Sequence, residues 1–252
     1  MQIIAISNLK GGCAKTTTSV NLAAGLALEG RRVLLIDLDP QGNSTEWLGI
    51  GTPSEGSFEL LTTDCTLDTL IHDSSVQGVS LIAGSGALSK LERVLAKADE
   101  PETHLKKRLA TLQKQQWDVV ILDTPPTLGL LTLNALTVAH QLLVPVTTQV
   151  LSLSGVAQLM QTVDDVRENL NPKLKLLGLV ACRVNLRTLH SQDVVQALTE
   201  SFGKKLLKTH IRENIRLAEA PSFNKSIFQY SPKSGASEDY RSLAREVLSL
   251  TK

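Results

Sequence analysis

Short runs of consecutive apolar residues recur along the chain, with helically spaced segments between them. The runs are Ile3–Ser7, Val33–Leu38, Val79–Ala83, Val119–Leu122, Leu142–Val146, Leu176–Val184 and Leu206–Ile211. Most are apolar at successive rather than alternate positions, the pattern of strands buried on both faces of a parallel sheet. Helical spacing covers Lys15–Glu29, Leu88–Ala98, Glu102–Gln115, Gly129–Ala139, Leu153–Asn169, Ser191–Phe202 and Ala236–Leu250. Strands alternating with helices imply right-handed crossovers. The expected fold is therefore α/β, a doubly wound, mostly parallel sheet with helices on both faces. No internal repeat or low-complexity linker breaks the pattern, so residues 1–252 are expected to form one domain.

Composition narrows the class. The chain is 42% hydrophobic and 20% charged with a net charge of +1, which excludes a disordered chain. Cys13, Cys65 and Cys182 are far apart and form no CxxC, so neither a disulfide framework nor a structural zinc site is expected. The opening MQIIAISNLKGG lacks the basic region of a signal peptide. The most apolar stretch, Leu128–Val146, is interrupted by Asn134, His140, Gln141 and Pro145, and reads as helix plus strand. A soluble protein of a reducing compartment is expected. The balanced net charge hides an asymmetry: residues 1–150 hold 11 basic and 15 acidic residues, residues 151–252 hold 15 and 10. Nine of those basic residues lie between Lys173 and Arg216, which reads either as a basic face or as ordinary solvated surface.

The first strand runs into Asn8-Leu9-Lys10-Gly11-Gly12-Cys13-Ala14-Lys15-Thr16-Thr17-Thr18 and then a helix. Adjacent glycines let backbone N–H groups approach a polyanion, and a helix beginning at Lys15 turns its positive end toward it. Lys15 is placed to reach phosphates and Thr16 to ligate Mg²⁺. Ala14 stands where a strict GxxxxGK[ST] loop has glycine. Two further strands end in acids, Asp37-Leu38-Asp39-Pro40-Gln41-Gly42 and Asp123-Thr124-Pro125-Pro126. Each acid alone reads equally as a cap or turn residue. At the carboxyl edge of a parallel sheet, where ligands bind, the three together suit a Mg²⁺-nucleotide site.

Lys10-Gly11-Gly12-Cys13-Ala14-Lys15-Thr16 resembles the deviant Walker A motif, KGGxxK[ST], of the ParA/MinD ATPases, a branch of the P-loop NTPases. Leu34–Asn43 is similar to the segment called Walker A prime, and Val120–Pro126 to Walker B. Asn214–Ser222 and Tyr230–Ala236 resemble the ParA/Soj partition proteins in particular.

The resemblance implies an ATPase using ATP and Mg²⁺, weak without a partner. Lys10 would be the signature lysine reaching across an ATP-dependent homodimer, although by itself it reads equally as a solvated loop residue. Gly11, Gly12, Cys13, Ala14, Lys15, Thr16 and Thr17 would cradle the phosphates. Asp39 would position the attacking water, Asp37 and Asp123 would support the magnesium, and Asn185 would contact adenine. Cys13 reads as a small loop filler, not a redox sensor. The resemblance also implies binding to nonspecific double-stranded DNA through Arg187, Lys204, Lys205, Lys208 and Arg216, and release prompted by a ParB-like adaptor. Glu213, where many relatives carry arginine, would weaken such a face. Nothing resembles a recognition helix, so base-specific readout is not expected. The implied localisation is cytoplasmic and nucleoid-associated, without a membrane. A MinD-like membrane-surface ATPase would need a basic amphipathic C-terminal helix, and Ser242–Lys252 lacks one. Amide- or carboxylate-activating ligases of the superfamily generally lack the lysine that Lys10 supplies.

Overall fold

The computed structural model describes residues 1–51, 53–112, 116–148 and 153–251. Strands β1 (Gln2–Ile6), β2 (Val33–Asp37), β3 (Ile71–Asp73), β4 (Val79–Ile82), β5 (Val119–Asp123), β6 (Gln141–Thr147), β7 (Lys175–Val184) and β8 (Ile211–Arg212) form one eight-stranded sheet. Its order is β3-β4-β2-β5-β1-β6-β7-β8, parallel throughout except that β3 runs antiparallel to β4.

Successive residues of the central strands serve two different cores. In β1, Ile3 and Ala5 enter one core while Ile4 and Ile6 enter the other, and in β2 Leu34 and Ile36 oppose Val33 and Leu35 in the same way. This is why the strands read as unbroken apolar runs. Val156, Leu159 and Val163 of helix Leu153–Asn169 cover the first face. Helices Lys15–Leu28 and Gly235–Leu250 cover the second, through Val20, Leu22 and Leu26 and through Leu243, Ala244 and Val247. Gly25 sets their spacing, since a Cβ there would lie 3.0 Å from Ala244 Cβ and 3.2 Å from the Tyr240 carbonyl. The apolar face of the C-terminal helix is thus buried in the protein. No helix of the described residues is long and apolar enough to cross a membrane.

Three expectations change. Leu206–Ile211 is not one strand: Leu206 bridges Leu179, and regular pairing resumes only at Ile211–Arg212. Between them the N–H groups of Lys208 and Thr209 donate to the Glu246 carboxylate at 2.8 and 2.9 Å, which takes those donors from the ladder. Leu88–Ala98 resolves into a 3-10 turn, Gly86–Lys90, and one α turn, Leu91–Val94. Glu102–Gln115 is helical at His104–Leu109, after a 3-10 turn at Pro101–Thr103, and its Gln115 end lies outside the described residues, as does Lys252. Edge strand β3 and the short helices Asn43–Trp47, Ser57–Thr62, Leu67–Leu70, Arg216–Glu219 and Ile227–Tyr230 are additional.

Candidate active site

The loop after β1 is tethered where it leaves the strand. Asn8 Nδ2 donates to the Pro145 carbonyl at 2.7 Å, and the Lys10 N–H donates to Asn8 Oδ1 at 3.2 Å. Gly12 and Ala14 both take left-handed backbone, with φ of 71° and 68°. Ala14 caps helix Lys15–Leu28 without offering a side-chain acceptor, so first-turn N–H groups remain for phosphate oxygens. Lys15 is only 7% exposed and folds back to donate from Nζ to the Lys10 carbonyl at 3.3 Å. That holds its ammonium inside the loop, where a phosphate would replace the carbonyl as partner.

The acids stand at the ends of adjacent strands. Asp37 and Asp123 are register partners in β2 and β5, and Asp123 also pairs with Ile6 of β1. Both are fully buried. Asp37 accepts from the Asp39 N–H (3.0 Å) through Oδ1, and from the Thr45 N–H (3.0 Å) and Oγ1 (2.7 Å) through Oδ2. Asp123 accepts from Ser19 Oγ at 2.8 Å and Ser44 Oγ at 2.5 Å. These bonds do not offset burial and mutual repulsion: desolvation, then the charge of Asp123, pushes the Asp37 carboxyl up to about 7. Desolvation raises Asp123 as well, against hydrogen bonds from Ser44, Ser19 and Thr16 and the charge of Lys15. Two buried carboxylates that resist ionisation beside a Thr hydroxyl fit a divalent cation. Mg²⁺ takes one or two carboxylates with phosphate and water oxygens, and the described residues hold no group of three acids, histidines or cysteines that would cage it otherwise. Asp37, Asp123 and Thr16 would hold it, and when bound it would neutralise charge on the phosphates.

Asp39 differs from the other two acids. It reaches the wall of a cavity of about 400 Å³ that is also lined by Gly11, Gly12, Lys15, Thr16 and Arg183. Its Oδ1 accepts the Gln41 N–H at 2.9 Å, which fixes the carboxylate at the mouth of the loop. A second cavity of about 310 Å³ shares Ala14, Thr17 and Arg183 with the first and extends to Cys182, Glu213 and Asn214. The first cavity is thus lined by the residues able to hold phosphate, and the second adjoins it.

Other candidates fall differently. Asn185 lines neither cavity: its Oδ1 accepts the Arg187 N–H at 3.2 Å and its own N–H donates to Ser191 Oγ at 3.0 Å. Glu213 and Asn214 contribute to the wall of the second cavity, so Glu213 borders this cavity as well as the basic region. Cys13 is buried and desolvation raises its thiol, and burial pushes Cys182 up to about 12, so neither is poised as a thiolate. Gln41, Asn43, Pro126 and Arg183 also line the phosphate cavity. The first three lie inside the quoted motifs, whereas Arg183 carried no signal.

The five basic candidates are exposed but do not form one group. Arg187 and Arg216 follow the carboxyl ends of β7 and β8, on the edge that carries the phosphate loop. Arg216 is paired with Glu219 at 2.8 Å. Lys204, Lys205 and Lys208 lie farther back, where the Lys205 carbonyl packs on Gly178 and Leu206 bridges Leu179 in the first half of β7.

A family model described as an AAA domain matches residues 1–176. The chromosome-partitioning ATPase Soj of Thermus thermophilus is 45% identical over 245 residues, 97% of this chain and 94% of its own. The sporulation initiation inhibitor protein Soj of Bacillus subtilis is 41% identical, with 98% of each chain covered. Among solved structures, one described as cobyrinic acid a,c-diamide synthase from Mycobacterium smegmatis, with bound ADP and magnesium, superposes with a TM-score of 0.87 at 35% identity. It covers 98% of this chain and 94% of that one. On this sequence kinship, and with a phosphate loop and three aspartates gathered on one sheet edge, the chain belongs to the ParA/Soj family of partition proteins and is a magnesium-dependent ATPase.

Proposed function

We propose that ATP closes a homodimer of this chain on nonspecific double-stranded DNA, and that hydrolysis, stimulated by a ParB-like adaptor, releases it. The 252 residues act as one ATPase domain at the nucleoid in the cytoplasm. Lys10 reaches the partner's phosphates, Lys15 and Thr16 hold phosphate and magnesium, and Asp39 orients the attacking water. The observation that carries the reading is the shared edge: Arg187 and Arg216 stand on the same carboxyl edge as the nucleotide cavity, so a change there can alter the surface they present. A membrane-surface role has less support, because the C-terminal helix already uses its apolar face against helix Lys15–Leu28. The synthase name of the Mycobacterium smegmatis structure contrasts with the partition name of the Thermus thermophilus relative, which matches at higher identity.

Co-sedimentation with nonspecific duplex DNA tests the reading, run with ADP, with ATP, and with ATP at high salt. Binding with ATP alone, lost at high salt, is the expected result. Arg187→Glu or Arg216→Glu should weaken it more than the same reversal at Lys204, Lys205 or Lys208. Absence of binding under every nucleotide would overturn the DNA role.

A further inference from the structure

We propose that Arg183 anchors the nucleotide at the junction of the phosphate and base compartments, and that the fold holds it in a strained backbone conformation to do so. The proposal rests on the reading of this edge as an ATP site. Arg183 is the one residue with a side chain, among the described strand residues, whose φ is positive (54°). A Cβ makes that conformation unfavourable, and such outliers persist where surrounding structure enforces them.

The enforcement is visible. The β7–β8 register shifts between Cys182 and Val184, so Arg183 is the extra residue of a bulge, a device that re-aims a side chain. Cys182 and Val184 are buried on either side while Arg183 is exposed toward both cavities. A relay of donors fixes its carbonyl. The Asn185 N–H donates to Ser191 Oγ (3.0 Å), Ser191 Oγ to Thr148 Oγ1 (2.9 Å), and Thr148 Oγ1 to the Arg183 carbonyl (2.9 Å). The Thr148 N–H also donates to the Cys182 carbonyl at 3.1 Å, tying the bulge to the end of β6. Asn185 therefore acts on the site through the backbone of Arg183, although its side chain lines neither cavity.

The position determines the chemistry. Lys15 and Asp39 line only the phosphate cavity and Glu213 and Asn214 only the other, whereas Arg183 lines both. A nucleotide spanning the two places there the groups that join base to distal phosphates, the ribose and the α-phosphate. A guanidinium at that point donates a fork of N–H bonds to a phosphate that ADP and ATP share. Its effect is uniform on the two nucleotides, unlike that of a group aimed at the γ-phosphate.

The test measures dissociation constants for ADP and ATP by titration calorimetry, with the melting temperature of the nucleotide-free protein, for wild type, Arg183→Gln and Arg183→Gly. Arg183→Gln should weaken ADP and ATP by the same factor, about tenfold or more, the scale of a lost charge-assisted bond. Arg183→Gly should weaken both equally and also raise the nucleotide-free melting temperature, because glycine adopts the left-handed backbone freely. Wild-type affinity in Arg183→Gln would overturn the anchoring role. A loss confined to ATP would overturn the junction assignment. A lower melting temperature for Arg183→Gly would overturn the strain. Wild-type protein that binds neither nucleotide would instead remove the ATP site itself, a failure separate from all three.

Discussion

The buried acids make a prediction about pH that runs opposite to ordinary acid denaturation. The Asp37 carboxyl is pushed from its ordinary 3.8 up to about 7 by desolvation and by Asp123. Above pH 4 the unfolded chain loses this proton while the folded protein keeps it. The folded state then binds more protons, and stability falls as pH rises until the folded group also ionises near 7. Three pH units at about 1.4 kcal/mol each set a ceiling of about 4 kcal/mol. For a chain of this size that is a fall of roughly ten degrees in melting temperature. Carboxylates with depressed values act elsewhere: Asp118 is lowered to about 2 by its bonds from Arg32, so its stabilisation is lost only below about pH 4. The difference between wild type and Asp37→Asn across pH 4.5 to 7 therefore reports the buried pair. The assay is thermal unfolding of nucleotide-free protein across that window at constant ionic strength. Asp37→Asn should remove at least half of the fall, and saturating MgADP should shrink it, since a cation then does what the proton did. A wild-type melting temperature that is flat or rises from pH 4.5 to 7 would refute the reasoning.

The same edge gives three shorter predictions. Ala14→Gly relieves about 1–2 kcal/mol of left-handed strain and loses about 0.5–1 kcal/mol to glycine's unfolded freedom. It should raise the melting temperature by about 1–4 °C, and a decrease in calorimetry would contradict the strain. Gly84→Ala would place a Cβ 2.7 Å from Asp37 Cγ and 2.9 Å from the Asp37 carbonyl. It should cost about 1–3 kcal/mol and weaken MgATP binding; an unchanged urea midpoint would argue against that close packing. Asp39→Ala should retain ATP binding in titration while turnover falls about 100-fold or more, and normal phosphate release would remove Asp39 from the chemistry.

The sequence makes the central strands legible because their successive residues serve two cores, which leaves an unmistakable apolar run. It starts β8 too early, at Leu206, because Glu246, which takes the N–H groups of Lys208 and Thr209 from the ladder, lies 38 residues from Lys208. Helices such as Asn43–Trp47 are too short to show a period. The phosphate loop and the three aspartates are readable since each motif is continuous in sequence. Ser19 and Ser44, which hold Asp123, and Arg183, which borders both cavities, enter through the neighbourhood of β5, β1, β6 and β7. No local pattern encodes that neighbourhood. The basic residues show the converse: adjacent in the reading of charge, Lys205 and Arg216 separate once β7 and β8 give the region a direction.

Several unfavourable features of the molecule therefore meet on one edge, and they differ in what can relieve them. Two paired strand ends bury Asp37 and Asp123 at a desolvation cost that their hydrogen bonds do not offset, and Lys15 bonds a backbone carbonyl where it could bond a phosphate. A bound MgADP would answer both, so this part of the cost is recovered on binding and adds to affinity measured against a destabilised free protein. The left-handed backbones of Ala14 and Arg183 are different, because their cost is steric and a bound ligand supplies no charge or hydrogen bond that would lift it. It follows that MgADP should suppress the pH slope of Asp37 yet leave the stability gain of Ala14→Gly in place. If nucleotide removed both, the Ala14 strain would belong to the free loop alone. The loop would then change its backbone on binding, rather than waiting preformed for the phosphates.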